Sequence, residues 1–201
     1  HHSVCHGKNG VGRLTFFTFA SRATWDTTYQ NPKGDKLFRY EISVASSELE
    51  NFSGRDTKLE ELHKGKTGTT VVFEGIHTIN REIIDAEVIP YLKREFCWFL
   101  ELNKHKKFTI AINGDALTYD DIIGEQDAVT IEDEKTKTKF DITYIRWEEL
   151  LPKEYSKFYF LDSSRDERWK EYTTLNNKGD RFYHSIFIQS RYFDNFDFEP
   201  N

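Results

Sequence analysis

Gly7, Gly10 and Gly12 stand at G-x-x-G-x-G spacing within His6-Gly7-Lys8-Asn9-Gly10-Val11-Gly12-Arg13-Leu14, and Thr15-Phe16-Phe17 follows at once. A loop of this kind bares backbone N–H groups at the positive end of a helix, where an anion, most often a phosphate, is stabilised. Gly7 and Gly12 have the separation of the outer glycines of a phosphate-binding P-loop. Arg13 and Leu14, however, occupy the places where that motif needs Lys and Ser/Thr. Arginine does not replace the lysine point charge, and leucine offers no oxygen to Mg²⁺. A P-loop also needs a buried strand before it, and six residues leave no room for one. The dinucleotide fingerprint G-x-G-x-x-G has the reverse glycine spacing.

The remaining chemistry-bearing side chains are scattered. Asp120-Asp121 and Glu132-Asp133-Glu134 lack the regular ligand spacing of a cation loop and are expected to be helix-cap and turn residues. His63, His77, His105 and His184 form no H-E-x-x-H helix. No metal site is expected. Cys5 and Cys97 have neither zinc spacing nor the numbers for a disulfide framework, which favours reduced thiols in a cytoplasmic protein. There is no serine nucleophile elbow and no catalytic cysteine context, so no catalytic residue is assigned.

Gly7-Lys8-Asn9-Gly10-Val11-Gly12-Arg13-Leu14 followed by Phe16-Phe17-Thr18-Phe19-Ala20 resembles the glycine-rich lid and following helix of the GHKL ATPases, the superfamily of DNA gyrase B, Hsp90, histidine kinases and MutL. The likeness is greatest to the Hsp90-like, MORC and MutL branches. Lys66-Thr67-Gly68-Thr69-Thr70-Val71-Val72-Phe73 resembles the family's later G-T-x-V-x-F strand. The resemblance implies that Gly7, Lys8, Asn9, Gly10, Val11, Gly12 and Arg13 wrap the triphosphate of ATP, and that Thr69 reaches the adenine. In the family the Mg²⁺-binding asparagine, the general-base glutamate and the D-x-G-x-G adenine segment all precede the lid. None of them is among these residues. The chain therefore resembles the later part of a GHKL module and is expected not to hydrolyse ATP alone.

The elements that would position these groups follow from periodicity. Apolar residues from Val11 to Ala23 recur at helical spacing and predict a helix with one broad buried face. Thr24–Tyr29 and Leu37–Ala45 read as strands joined by a turn at Asn31-Pro32-Lys33-Gly34-Asp35, with Phe38, Tyr40, Ile42 and Val44 on one face. A polar, charged stretch from Ser46 to Gly65 reads as a loop or short helix before a strand at Thr69–Phe73. The spacing then predicts a helix from about Arg81 to Asn103, kinked or restarted at Pro90. Strands are predicted at Phe108–Asn113, Ala128–Asp133, Lys139–Trp147, Lys157–Leu161 and Phe182–Gln189, with turns at Asn113-Gly114 and Lys178-Gly179.

In gyrase B and MutL the ATPase module is followed by a transducer domain of the ribosomal-S5-like α/β type. The resemblance implies such a region here. That domain presents a lysine to the terminal phosphate, and Lys178, in Thr174-Leu175-Asn176-Asn177-Lys178-Gly179-Asp180, is the candidate. Phe182, Tyr183, Phe187, Tyr192 and Phe193 are expected to be structural.

With 201 residues, including 17 Phe, 10 Tyr and 4 Trp, there is ample material for a core despite a mean hydropathy of -0.70. Net charge of -6 and a pI of about 5.7 argue against a surface built for nonspecific nucleic-acid binding. No apolar run approaches the roughly twenty residues that span a bilayer, so no membrane partner is expected. The lack of methionine agrees with an internal fragment or a processed product, and His1-His2-Ser3 reads as a tag remnant.

The expected class is α/β (α+β). Residues 1–80 would form the second half of a GHKL helix-on-sheet sandwich, and residues 81–201 a mixed, strand-rich transducer-like domain. The parent would be an ATP-gated switch acting on a homodimer partner or client protein. The alternative is a non-enzymatic protein-interaction module whose glycines only turn the backbone.

Overall fold

The computed structural model describes residues 15–34, 36–48, 59–152, 156–175 and 181–196. The chain divides into two units, His1–Arg81 and Glu82–Asn201. The class is α+β and strand-rich, with sheets of four, five and two strands among the described residues. Among the described residues, no helix is long and apolar enough to cross a membrane.

In the first unit, alternating residues build an antiparallel hairpin of β1 (Arg22–Gln30) and β2 (Leu37–Ala45). Short β3 (Glu60–Leu62) pairs with β2, and β4 (Gly68–Glu74) pairs with β1, giving the order β3-β2-β1-β4. Because side chains alternate across a strand, the register places Ala23, Trp25, Thr27 and Tyr29 on one face with Val44, Ile42, Tyr40 and Phe38. Phe73, Val71 and Thr69 extend that face onto β4. Phe16, Ala20, Ala23 and Val44 form a small core at one end of it, supported by Phe19, Trp25 and Ile42.

The expected helix through Ala23 is corrected within the described residues. Only a 3-10 turn, Thr15–Thr18, is present before β1 begins at Arg22. Spacings of three and four put Phe16, Phe19 and Ala20 on one side, but a single turn satisfies them. Thr24, Thr27 and Thr28 are β-branched residues that favour the extended backbone. Two neighbouring strands then hold β1 in place. Residues 11–14 of the expected helix lie outside the described residues.

The second unit opens within α1 (Arg81–Ile83), passes through a π turn (Ile84–Val88), and continues as α2 (Ile89–Leu102). Pro90 lies in the first turn of α2, where a missing N–H is tolerated. The restart at proline is thus observed as a π turn running into a new helix. Asn113-Gly114 closes a two-residue hairpin between β5 (Ala111–Ile112) and β6 (Asp115–Ala116). Both turn residues have positive φ, 54° and 92°, as the mirror-image turn of tight hairpins requires.

The main sheet contains β7 (Ile123–Glu132), β8 (Lys139–Trp147), β9 (Lys157–Leu161), β10 (Glu167–Tyr172) and β11 (Tyr183–Gln189). Their order is β10-β9-β11-β8-β7, with β9 and β11 parallel and the other pairs antiparallel. Alternation sends Ile145, Trp147, Tyr159, Leu161 and Phe187 into one core with Cys97, Trp98 and Leu102 of α2. Trp98 stacks on Tyr159, and Tyr159 on Phe187. Trp147 Nε1 donates to Ser185 Oγ at 2.9 Å, so the buried indole has its partner.

Candidate functional site

Thr69 is the sequence-derived site residue that the structure describes. It lies near the start of β4, directly opposite Thr27 of β1. The two hydroxyls share a hydrogen bond of 3.1 Å. Thr69 is exposed and Thr27 half-buried. A shared hydroxyl pair uses one proton and leaves further donor and acceptor capacity for a ligand or a bridging water. Trp25 and Tyr40, on the same face, are the aromatic neighbours of this pair in the register. Thr27 was not a sequence candidate, since only the strand register reveals it as the partner of Thr69.

The chain that leaves the glycine loop is fastened to this same strand. Ser21 N donates to Glu74 O at 2.9 Å, His77 N donates to Phe19 O at 3.1 Å, and the Phe19 ring meets Phe73 edge-on at 5.0 Å. Gly75 allows the crossing. Its φ is +64°, and a Cβ there would lie 2.8 Å from Ser21 Oγ, so only glycine fits without displacing Ser21.

The opposite face of the sheet is polar. Arg39 donates two hydrogen bonds of 2.7 Å to the two oxygens of Asp26. This bidentate bond holds the Asp26 carboxyl below its ordinary range. Neither residue has a free valence aimed at the Thr69 face.

Gly7, Lys8, Asn9, Gly10, Val11, Gly12 and Arg13 lie outside the described residues, as does Lys178. Cys97 is buried, and burial pushes its thiol up to about 12; a thiol so protonated is a poor nucleophile. Asp121 accepts from Lys93 Nζ at 2.8 Å, and Asp133 caps a hairpin turn through Lys135 N and Thr136 N. Both acidic groups are thereby structural. Among the described residues, no group of three or more His, Cys, Asp or Glu could hold a metal ion.

No family model and no curated protein matches this sequence.

A second polar cluster lies in the main sheet. His184 is fully buried, with Nε2 2.8 Å from Thr173 Oγ1 and Nδ1 3.4 Å from Phe182 O. A carbonyl can only accept, so Nδ1 carries the proton and Nε2 accepts from the Thr173 hydroxyl. This resembles a base activating a nucleophile, but Thr173 is itself 4% exposed and no substrate reaches it. Burial lowers the His184 pKa.

Proposed function

We propose that this chain carries the lid-and-strand half of a GHKL-type nucleotide module, followed by a transducer-like region, within an ATP-gated conformational switch. One observation carries the reading. The segment that leaves the glycine loop is bonded and packed onto β4, the strand that presents the exposed Thr69 hydroxyl. The segment that follows the loop is thus anchored to the strand that would meet the base, and the loop would hinge from that anchor to close on the phosphates. In this mechanism Gly7, Gly10 and Gly12 let backbone N–H groups approach the triphosphate of ATP, and Thr69 with Thr27 contacts the adenine edge directly or through water. The five-stranded sheet with α2 on its face supports a transducer role for the second unit. ATP fits these residues as a ligand for hydroxyl and N–H groups. Mg²⁺ would be held, as the resemblance implies, by an asparagine that precedes the lid in the intact parent.

Calorimetry of this 201-residue chain with ATP tests the division of labour. Affinity no tighter than millimolar is expected, since phosphate contacts and the Thr69 hydroxyl alone, without the D-x-G-x-G adenine segment, hold little of the nucleotide. Micromolar, Mg²⁺-dependent binding would overturn it.

A second reading, a protein-interaction module, is favoured by one feature. β4 is an edge among the described strands, and its Val71, Val72 and Phe73 are 40%, 47% and 38% exposed. Exposed apolar edges template strand addition. That reading predicts binding of a partner with no response to ATP.

A further inference from the structure

At one end of the main sheet lies a cleft of about 400 Å³, within the range of small-molecule sites. Lys139 and Asp141 are two residues apart on β8 and share a face. Gln189 of β11 is the cross-strand partner of Asp141 and also lines the cleft, with Ser190 and Arg191 following it. Ser163, beyond the end of β9, and Lys137, in the β7–β8 turn, complete the lining.

The polar frame of this cleft is saturated. Ser190 Oγ donates to Lys139 O at 2.7 Å and accepts from Tyr192 N. Ser163 donates through N and Oγ to the two oxygens of Asp194, both at 2.8 Å, and Gln189 Nε2 donates to Ser163 O. Lys137 is held in the left-handed region, φ 55°, by a turn in which its N–H donates to Asp133 O. Among the described residues the cations have no such close partners. Among the described residues Lys139 and Arg191 make no side-chain hydrogen bond or ion pair, and Lys137 has only a loose, exposed one to Glu132 at 3.6 Å. Three cationic residues and one carboxylate thus line this cleft of a chain whose net charge is -6. Their mutual repulsion is relieved by a dianion.

Asp141 decides which dianion. Its carboxylate accepts from Thr130 Oγ1 at 2.7 Å, which leaves it further capacity to accept from a hydroxyl, while it repels a bare phosphate set beside it. We propose that this cleft binds a sugar-phosphate group, the phosphate between Lys139, Arg191 and Lys137 and a sugar hydroxyl on Asp141. The site is independent of the glycine loop and of Thr69. The sugar phosphate comes from a free small molecule or from a nucleic-acid backbone, and the two sources are separable.

The test is a titration of the full chain, by NMR or calorimetry, with ribose 5-phosphate, ribose, inorganic phosphate and a short oligouridylate. Ribose 5-phosphate is expected to saturate, ribose alone not to bind, and the K139Q/R191Q double variant to lose at least about tenfold in affinity. D141N is expected to bring inorganic phosphate to within about threefold of ribose 5-phosphate, because the repulsion is gone and the hydroxyl contact weakened. These are exposed side chains, and circular dichroism checks that the variants fold. Displacement of ribose 5-phosphate by oligouridylate, lost in the same double variant, supports the site and names the backbone as source. Failure to displace supports it and names the small molecule. Absence of saturable ribose 5-phosphate binding, or binding unchanged in K139Q/R191Q, overturns the proposal, and neither result bears on ATP binding at the lid.

Discussion

At the scale of single residues, His184 makes the most defined prediction. Its imidazole is buried and neutral, so its folded pKa lies below the ordinary 6.5. Below pH 6.5 the unfolded chain binds a proton that the folded chain refuses. Stability is therefore fully present above that pH, falls as pH drops toward the folded pKa, and levels off beneath it. Urea midpoints measured from about pH 7.5 to about pH 5 should fall for the wild type and fall less for His184→Gln. Carboxylates lowered by partners, such as Asp26, Asp121 and Asp133, titrate below this window. His105, also lowered, remains in both proteins, so the difference between them isolates His184. Parallel curves would show that His184 stays unprotonated in both states or protonates in both.

At the scale of elements, burial separates β9 from β4. Leu161 is fully buried against the α2 core, whereas Val72 is 47% exposed on an edge strand. Leu161→Ala should cost about 2–5 kcal/mol through lost transfer energy and a residual cavity. Val72→Ala should stay within about 0.5 kcal/mol. Denaturation followed by tryptophan fluorescence checks both, and equal losses would contradict the placement of the core. Elements with clean alternation were legible in the sequence: Leu37–Ala45, Lys139–Trp147 and Lys157–Leu161 are observed at those bounds. β3, β6 and β10 are not among the strands the periodicity predicts. In Glu167-Arg168-Trp169-Lys170-Glu171-Tyr172 the charges hide the strand, because Lys170 covers the Trp98 ring with its ammonium 5.1 Å away. A charged residue can line an aromatic surface, and hydropathy then reports the wrong face. The helix expected through Ala23 failed for the converse reason, as one 3-10 turn reproduces a helical spacing that sheet pairing then overrides.

At the scale of the whole molecule, the proposed switch depends on chemistry that motifs reveal and on geometry that they do not. The Gly68-Thr69-Thr70-Val71-Val72-Phe73 strand could be read directly, since strand propensity is local; the glycine loop lies outside the described residues. The Thr27–Thr69 hydroxyl pair and the cleft of Lys139 and Arg191 could not. Each joins residues distant in sequence, and only strand register brings them together. The central claim, that the glycine loop is a nucleotide lid, is tested most directly by ATP turnover of the intact protein carrying Gly10→Ala or Gly12→Ala. A Cβ obstructs positive φ and the approach of backbone N–H to phosphate. The account predicts that both variants fold with an unchanged circular dichroism spectrum and lose turnover. Turnover at the parental rate in both would make the loop a structural turn and contradict the claim.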